Sequence, residues 1–134
     1  MISIHRLQCA KVYLKDAFEL YKKGSFNSSA SRAYYASYQA MWAALGDPES
    51  QKIWKHLGII KHFVRGYWYE PTHPKTGSGL LEEFRLPLRR LYSYRIKSDY
   101  DAEDVDQHNL IQLLENVERV VSIIESIIEK KGGE

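Results

Sequence analysis

The sequence predicts an all-α protein, an up-and-down bundle of four main helices with one or two short helical segments. Apolar residues recur at steps of three and four along most of the 134 residues, and no stretch alternates as a β-strand does. Glycine or proline stands near most of the expected helix ends. No repeat or second domain is evident, so residues 1–134 are predicted to form a single domain, with 129–134 as a disordered tail.

The first two helices are predicted from an apolar stripe and a face of small side chains. Gly24 is placed to end the first helix, and Asn27 or Ser28 can cap the second. The second helix then runs to about Leu45, with Gly46 as its stop. Its small face predicts close packing, either in the bundle interior or in a dimer seam. The stripe is Leu7, Ala10, Leu14, Ala17 and Tyr21, and the small face is Ala30, Ala33, Ser37, Ala40 and Ala44.

The rest of the chain is predicted to hold further helices separated by one clear loop. Asp47-Pro48 is typical of a helix start, so a third helix is expected near it. The loop covers residues 70–79, and Pro87 must kink the helical pattern of 80–94 or begin a new segment. After an acidic link over 99–106 comes the longest helix. Its apolar stripe is Leu110, Leu114, Val117, Val121, Ile124 and Ile128.

The net charge of +2 hides an asymmetry between the two parts of the chain. Residues 1–98 hold 16 basic and 7 acidic side chains, and residues 99–134 hold 3 basic and 10 acidic ones. The total excludes a strongly basic nucleic-acid arm, while the asymmetry favours self-association or an anionic partner. The densest basic stretch, 85–97, carries two tyrosines. Arginines can fork onto phosphate and tyrosines can stack on bases. The alternative interpretation is that these arginines form a solvated helix face, or that Arg95 pairs with Asp99, and that they bind no ligand.

The sequence lacks the motifs of several kinds of functional site. The eight glycines fit no phosphate-binding loop, and the five histidines and one cysteine form no zinc pattern. We therefore predict no metal and no cofactor. Cys9 is alone, which fits a reducing compartment, and no apolar run approaches the roughly 18 residues of a membrane span. These features predict a cytoplasmic protein that does not enter the membrane.

Three segments together resemble the small prokaryotic HEPN-domain family. They come in family order and spacing, and the resemblance covers residues 6–128. Residues 32–45 (RAYYASYQAMWAAL) look like the second family helix. Lys55-His56-x-Gly58-x-Ile60 with Phe63 looks like the third-helix segment, and Leu91-Tyr92-x-x-Arg95-x-x-x-Asp99-Tyr100 looks like the family's R-x-x-x-D-Y segment.

The resemblance implies a helical homodimer with a groove where the polar segments of two protomers meet. Members are often encoded beside a minimal nucleotidyltransferase. Some are toxins that cut RNA without a metal, and others are binding or accessory domains. The groove residues that it implies here are Arg95, Asp99, Tyr100, Lys55, His56 and Arg32.

The chain departs from the signature of the RNA-cutting members, which is an arginine followed after four to six residues by a histidine. After Arg95 those positions hold Tyr100, Asp101 and Ala102. Tyrosine titrates near 10 and is a poor base at pH 7. His56 from the third helix, or Asp99, is the alternative base, so the catalytic candidates are Arg95, His56 and Asp99.

Three functions follow from these residues. The favoured one is a HEPN-type nucleotide- or RNA-associated binding module, a dimeric component of a two-component, toxin–antitoxin-like system with a minimal nucleotidyltransferase. The second is a metal-independent endoribonuclease toxin with a variant motif. The third is a structural or interaction domain, in which Arg95 and Asp99-Tyr100 lock a corner between helices.

Overall fold

The computed structural model describes residues 3–49, 53–71, 81–97 and 106–132. Over these ranges the chain forms five α-helices, one short 3-10 helix and no strand, which confirms the all-α prediction. The α-helices are α1 (Ile4–Lys22), α2 (Phe26–Leu45), α3 (His56–Arg65), α4 (Arg85–Ile96) and α5 (Gln107–Gly132), and the 3-10 helix is Glu82–Phe84.

Helix α2 is central and packs against the other four helices. Its predicted small face is wholly buried, and the α1 stripe is buried from Leu7 to Ala17. Small side chains let two helix axes approach closely, and here that approach is made within one chain. The hydroxyl of Ser29 joins the two helices by donating to the Ala17 carbonyl at 2.7 Å. The small face therefore belongs to the bundle interior.

The predicted ends of α1 and α2 are confirmed, but α2 begins slightly earlier than expected. Gly24 and Gly46 follow the two helices with φ of 82° and 78°, the left-handed region that favours glycine. Helix α2 starts at Phe26, not after Asn27 or Ser28. The ring of Phe26 lies 5.3 Å from that of Tyr21, so packing across the turn accounts for the earlier start.

The predicted start of the third helix near Asp47 is wrong, because α3 begins at His56. The carboxylate of Asp47 accepts a hydrogen bond from Trp42 Nε1 at 2.9 Å and is thereby tied back to α2. Trp54 Nε1 donates to the Gly46 carbonyl at 2.8 Å, which holds the connecting segment against the end of α2.

Pro87 lies at the start of a helix and does not kink a longer one. It is the third residue of α4, in the first turn, where a backbone N–H has no intrahelical partner. Helix α5 continues through Gly132, so residues 129–132 are helical where a disordered tail was expected. Ile128 is half-buried and packs against the core. Most of the expected 70–79 loop and the 99–106 link lie outside the described residues.

Candidate functional site

A group of aromatic and basic side chains lies where α2, α3 and α4 meet. We call it the aromatic–basic cluster. Tyrosines of α2 contact the first residue of α3 and two residues of α4. The two α4 residues are three positions apart and therefore share a helix face. The members are Tyr34, Tyr35, Tyr38, His56, Tyr92 and Arg95.

Tyr34 is the centre of the cluster. It is 1% exposed, and its ring centroid lies 5.4 Å from those of both His56 and Tyr92. The Tyr34 hydroxyl is hydrogen-bonded to His56 Nδ1, and the guanidinium of Arg95 lies 5.6 Å from the Tyr34 ring centroid. Burial raises the pKa of the Tyr34 phenol well above its usual 10, so the hydroxyl stays protonated at neutral pH.

His56 is held by rings on two sides. It stacks on Tyr92 with centroids 5.2 Å apart and an interplanar angle of 22°, and its centroid lies 5.1 Å from that of Tyr38. Partial burial, with a smaller contribution from the Arg95 charge, lowers the pKa of His56 below its usual 6.5. His56 is therefore neutral at pH 7.

The bond between His56 and Tyr34 admits two tautomers with different chemistry. If Nδ1–H donates to the Tyr34 oxygen, Nε2 is an acceptor and a base. If the Tyr34 hydroxyl donates to Nδ1, Nε2 carries the proton and is a donor. Either form leaves Nε2 as the ring atom that can meet a ligand.

Arg95 is held at the edge of the cluster by its guanidinium. One terminal nitrogen donates to the Tyr35 hydroxyl at 3.0 Å, and the group lies 5.5 Å from the Tyr35 ring centroid. Cation–π contact of this kind is stronger for partly desolvated cations, and Arg95 is half-buried. A fixed, planar cation of this type suits a phosphate oxygen.

The other groove residues predicted from the resemblance lie around the cluster or outside the described part of the chain. Arg32 is exposed and lies 5.8 Å from the Tyr13 ring, which is itself 6.2 Å from that of Tyr35. Lys55 is exposed and immediately precedes His56. The last two predicted residues, Asp99 and Tyr100, lie outside the described residues.

The basic stretch 85–97 does not form one surface. Arg85 pairs with Glu82 one turn earlier, while Arg89 and Arg90 are exposed. Of the four arginines in that stretch, Arg95 is the one that enters the cluster. The density of charge in the sequence therefore overstated how many of these side chains share a site.

Sequence reasoning missed the tyrosines as site residues. Tyr34, Tyr35 and Tyr38 lie in the quoted segment 32–45 and Tyr92 in the basic stretch 85–97, but the resemblance does not include them among the groove residues. Tyr38 also positions the site, because its hydroxyl donates to the Trp54 carbonyl and ties α2 to the residues just before His56. Their clustering beside Arg32 in the quoted segment was the available signal.

Within the described ranges, no group of three His, Cys, Asp or Glu side chains is arranged to hold a metal ion. In the same part of the chain, no helix has the length and apolar character needed to cross a membrane.

The HEPN domain family model matches residues 5–129. The match covers nearly the whole chain, so this protein belongs to the HEPN domain family, as the three sequence segments predicted. At the family level this makes it a nucleotide- or RNA-associated module. No curated protein matches the chain.

The coupling between His56 and Arg95 predicts a specific change in titration. The histidine signals in NMR spectra are expected to give a His56 midpoint below 6.5, and Arg95→Ala is expected to raise that midpoint. In the unfolded state His56 has its usual pKa near 6.5, so the unfolded state binds more protons than the folded state as the pH falls through this value. His56 therefore lowers the free energy of unfolding in acid.

His62 supplies a matched control for this titration. Burial lowers its pKa as well, with Arg65 and Lys61 adding to the effect. Arg65→Ala should therefore raise the His62 midpoint and leave His56 unchanged, with the opposite pattern for Arg95→Ala. A His56 midpoint that Arg95→Ala leaves in place would contradict the geometry of the cluster.

Proposed function

We propose that this HEPN domain binds single-stranded RNA or a nucleotide through the aromatic–basic cluster. The observation that carries the proposal is that His56 and Arg95 both lie against the ring of Tyr34, at 5.4 and 5.6 Å from its centroid. An imidazole and a fixed guanidinium are thereby held against one ring, although they come from different helices and are 39 positions apart in the sequence.

Each component of the cluster suits one part of a nucleotide. The Arg95 guanidinium carries a charge that attracts phosphate, and its fork can donate two hydrogen bonds. His56 Nε2 can bond a sugar hydroxyl or a base edge. The half-buried rings of Tyr35, Tyr38 and Tyr92 offer edges and faces against which an unpaired base can pack.

We further propose that two copies of the chain form a homodimer whose clusters share one groove. The family resemblance supports this, and so does the charge asymmetry between residues 1–98 and 99–134. In the same proposal the dimer works with a minimal nucleotidyltransferase in a two-component, toxin–antitoxin-like system. Its cytoplasmic location stays a prediction from composition.

The dimer is testable by light scattering at micromolar concentration. The expected mass is twice the chain mass of 15.6 kDa. Raising the salt concentration should weaken the dimer if opposite charges contribute to it, because salt screens such attractions. A monomer of 15.6 kDa over the whole concentration range would contradict the shared groove.

A metal-independent ribonuclease is the second candidate, and the placement of His56 and Arg95 against the same Tyr34 ring favours it. In this reaction His56 Nε2 takes the proton of a ribose 2′-hydroxyl, and the 2′-oxygen attacks the adjacent phosphorus. Arg95 stabilises the added negative charge, and the 5′-oxygen leaves with a proton supplied by solvent water, while the protonated His56 returns its proton to the solvent. The products are a 2′,3′-cyclic phosphate and a 5′-hydroxyl. The reaction requires the tautomer in which Nδ1–H donates to Tyr34.

One assay separates the candidates. The purified protein is mixed with end-labelled single-stranded RNA in the presence of a chelator, and both retention and chain length are followed. Retention of intact RNA is expected for the binding module. Cleavage that persists with the chelator and is lost in both His56→Ala and Arg95→Ala would establish the ribonuclease. If the RNA is neither retained nor cleaved, both candidates are contradicted. The interpretation as a structural domain then stands.

A further inference from the structure

A second concave site lies beside α3, separate from the aromatic–basic cluster. It is a cavity of about 640 Å³, which we call the α3 cavity. Lys55, Gly58 and His62 contribute to its lining; Gly58 and His62 lie four residues apart on one face of α3, and Lys55 immediately precedes that helix. Its volume lies in the range of roughly 300–1,000 Å³ that is usual for small-molecule sites.

Two indole rings of the α3 cavity are held in place by backbone hydrogen bonds. Trp54 Nε1 donates to the Gly46 carbonyl at 2.8 Å, and Trp68 Nε1 donates to the Phe63 carbonyl at 3.1 Å. Trp68 also stacks on Phe63 at a centroid distance of 5.5 Å. Since both indole N–H groups are used in this way, the rings present apolar surface to the cavity, as a planar ligand requires.

The polar lining includes two carboxylates and one ammonium group, from Asp47, Glu49 and Lys55. Trp42 Nε1 donates to Asp47 Oδ1 at 2.9 Å, so this carboxylate is oriented and can accept a second donor at Oδ2. Carboxylates accept hydrogen bonds and do not donate them. The cavity therefore suits a planar ligand whose edge carries donors.

We propose that the α3 cavity binds a guanine base and is a base-selecting subsite of the RNA-binding function proposed above, on which it rests. Guanine carries two adjacent donors, N1–H and the 2-amino group, along one edge. Adenine places an acceptor beside its amino group, which would face the carboxylate unfavourably. Lys55 lines the cavity and carries a charge that can pair with the phosphate, and its neighbour His56 belongs to the cluster. One RNA strand can therefore contact both sites.

Binding of mononucleotides, followed by calorimetry, tests the proposal without RNA. Guanosine monophosphate is expected to bind at least fivefold more tightly than inosine monophosphate, which lacks the 2-amino group, and more tightly than adenosine monophosphate. Asp47→Asn should reduce the preference for guanosine over inosine, and Asn can still accept from Trp42. Equal binding of guanosine and inosine monophosphates, or no binding of either, would overturn the proposal.

Gly58 provides a pair of variants that differ only in how far they fill the cavity. A Cβ at this position would meet Lys55 Cβ at 3.8 Å, an ordinary contact, so Gly58→Ala should fold and keep binding. Gly58→Leu should also fold but extend its side chain into the cavity, with loss of guanosine monophosphate binding by at least tenfold. Unchanged binding in folded Gly58→Leu would place the nucleotide elsewhere.

The two proposals fail in distinguishable ways. Arg95→Ala should weaken RNA binding through the cluster but leave binding of guanosine monophosphate in the α3 cavity intact. If Gly58→Leu no longer binds the mononucleotide while Arg95→Ala leaves RNA binding unchanged, binding in the α3 cavity is supported. The proposed role of the cluster in RNA binding is then contradicted. If Arg95→Ala abolishes binding of the mononucleotide, the nucleotide lies in the cluster and the cavity proposal fails.

Discussion

Arg95→Ala is expected to weaken binding of a single-stranded RNA by about tenfold to a hundredfold while leaving the helix content unchanged. A hydrogen bond to a charged group contributes about 1.5–3 kcal/mol, and about 1.4 kcal/mol corresponds to a tenfold change in affinity. The Arg95 guanidinium is already oriented by Tyr35 at 3.0 Å, so little conformational freedom is lost on binding phosphate. Fluorescence anisotropy of a labelled RNA measures the effect.

Two further variants separate the guanidinium from charge in general. Arg95→Lys keeps the charge but loses the planar fork, so it should restore only part of the affinity. Arg119→Ala removes an exposed arginine that lies 5.1 Å over the Phe84 ring and 3.6 Å from Glu83, outside the cluster. It should change RNA affinity by less than about twofold, as befits one screened surface charge. Equal losses in Arg95→Ala and Arg119→Ala would show only a general charge effect.

The hypothesis that Arg95 has only a structural role makes a different prediction for the same variant. If Arg95 serves mainly to hold α4 against Tyr35, its loss should lower the free energy of unfolding by about 1–3 kcal/mol and leave the RNA affinity of the folded fraction unchanged. Unfolding by urea, measured beside the binding assay, therefore distinguishes the two roles.

Tyr34→Ala is expected to lower the free energy of unfolding by about 3–5 kcal/mol, the range for truncation of a large buried aromatic side chain. Tyr34 is 1% exposed and contacts rings from α2, α3 and α4, so its removal leaves a cavity at the junction of three helices. Such a loss is a large part of the 5–15 kcal/mol that stabilises a typical domain. Urea or thermal unfolding measures it.

Tyr34→Phe separates the ring from the hydroxyl. It keeps the packing and removes the bond to His56 Nδ1, so the expected loss is about 1 kcal/mol. Tyr13→Ala is a matched truncation on α1, where the ring is only half-buried and contacts Tyr35 at 6.2 Å. If Tyr34→Ala cost no more than Tyr13→Ala, the central position of Tyr34 would be contradicted.

The sequence predicted the interior well where the signal was local and periodic. The α1 stripe and the small face of α2 are buried, because a repeat of three and four residues places side chains on one helix face. Gly24 and Gly46 were identified because a left-handed residue after a helix favours glycine. The start of α3 was misplaced, since Asp47 bonds Trp42 and does not cap the helix.

The site was predicted less fully, because it is assembled from distant residues. The family resemblance supplied His56 and Arg95, but nothing in the spacing of the chain places both against Tyr34, which comes 22 residues before one and 61 before the other. That contact depends on how α3 and α4 pack against α2. The α3 cavity also depends on packing, because it combines the end of α2 with residues on both sides of α3.

The imidazole signals of His56, followed by NMR during titration with a single-stranded RNA, test the cluster as the binding site most directly. We predict that the His56 signals shift as RNA is added and that those of His108, exposed at the start of α5, stay in place. RNA that binds while the His56 signals remain unmoved would contradict the assignment of the aromatic–basic cluster as the nucleic-acid site.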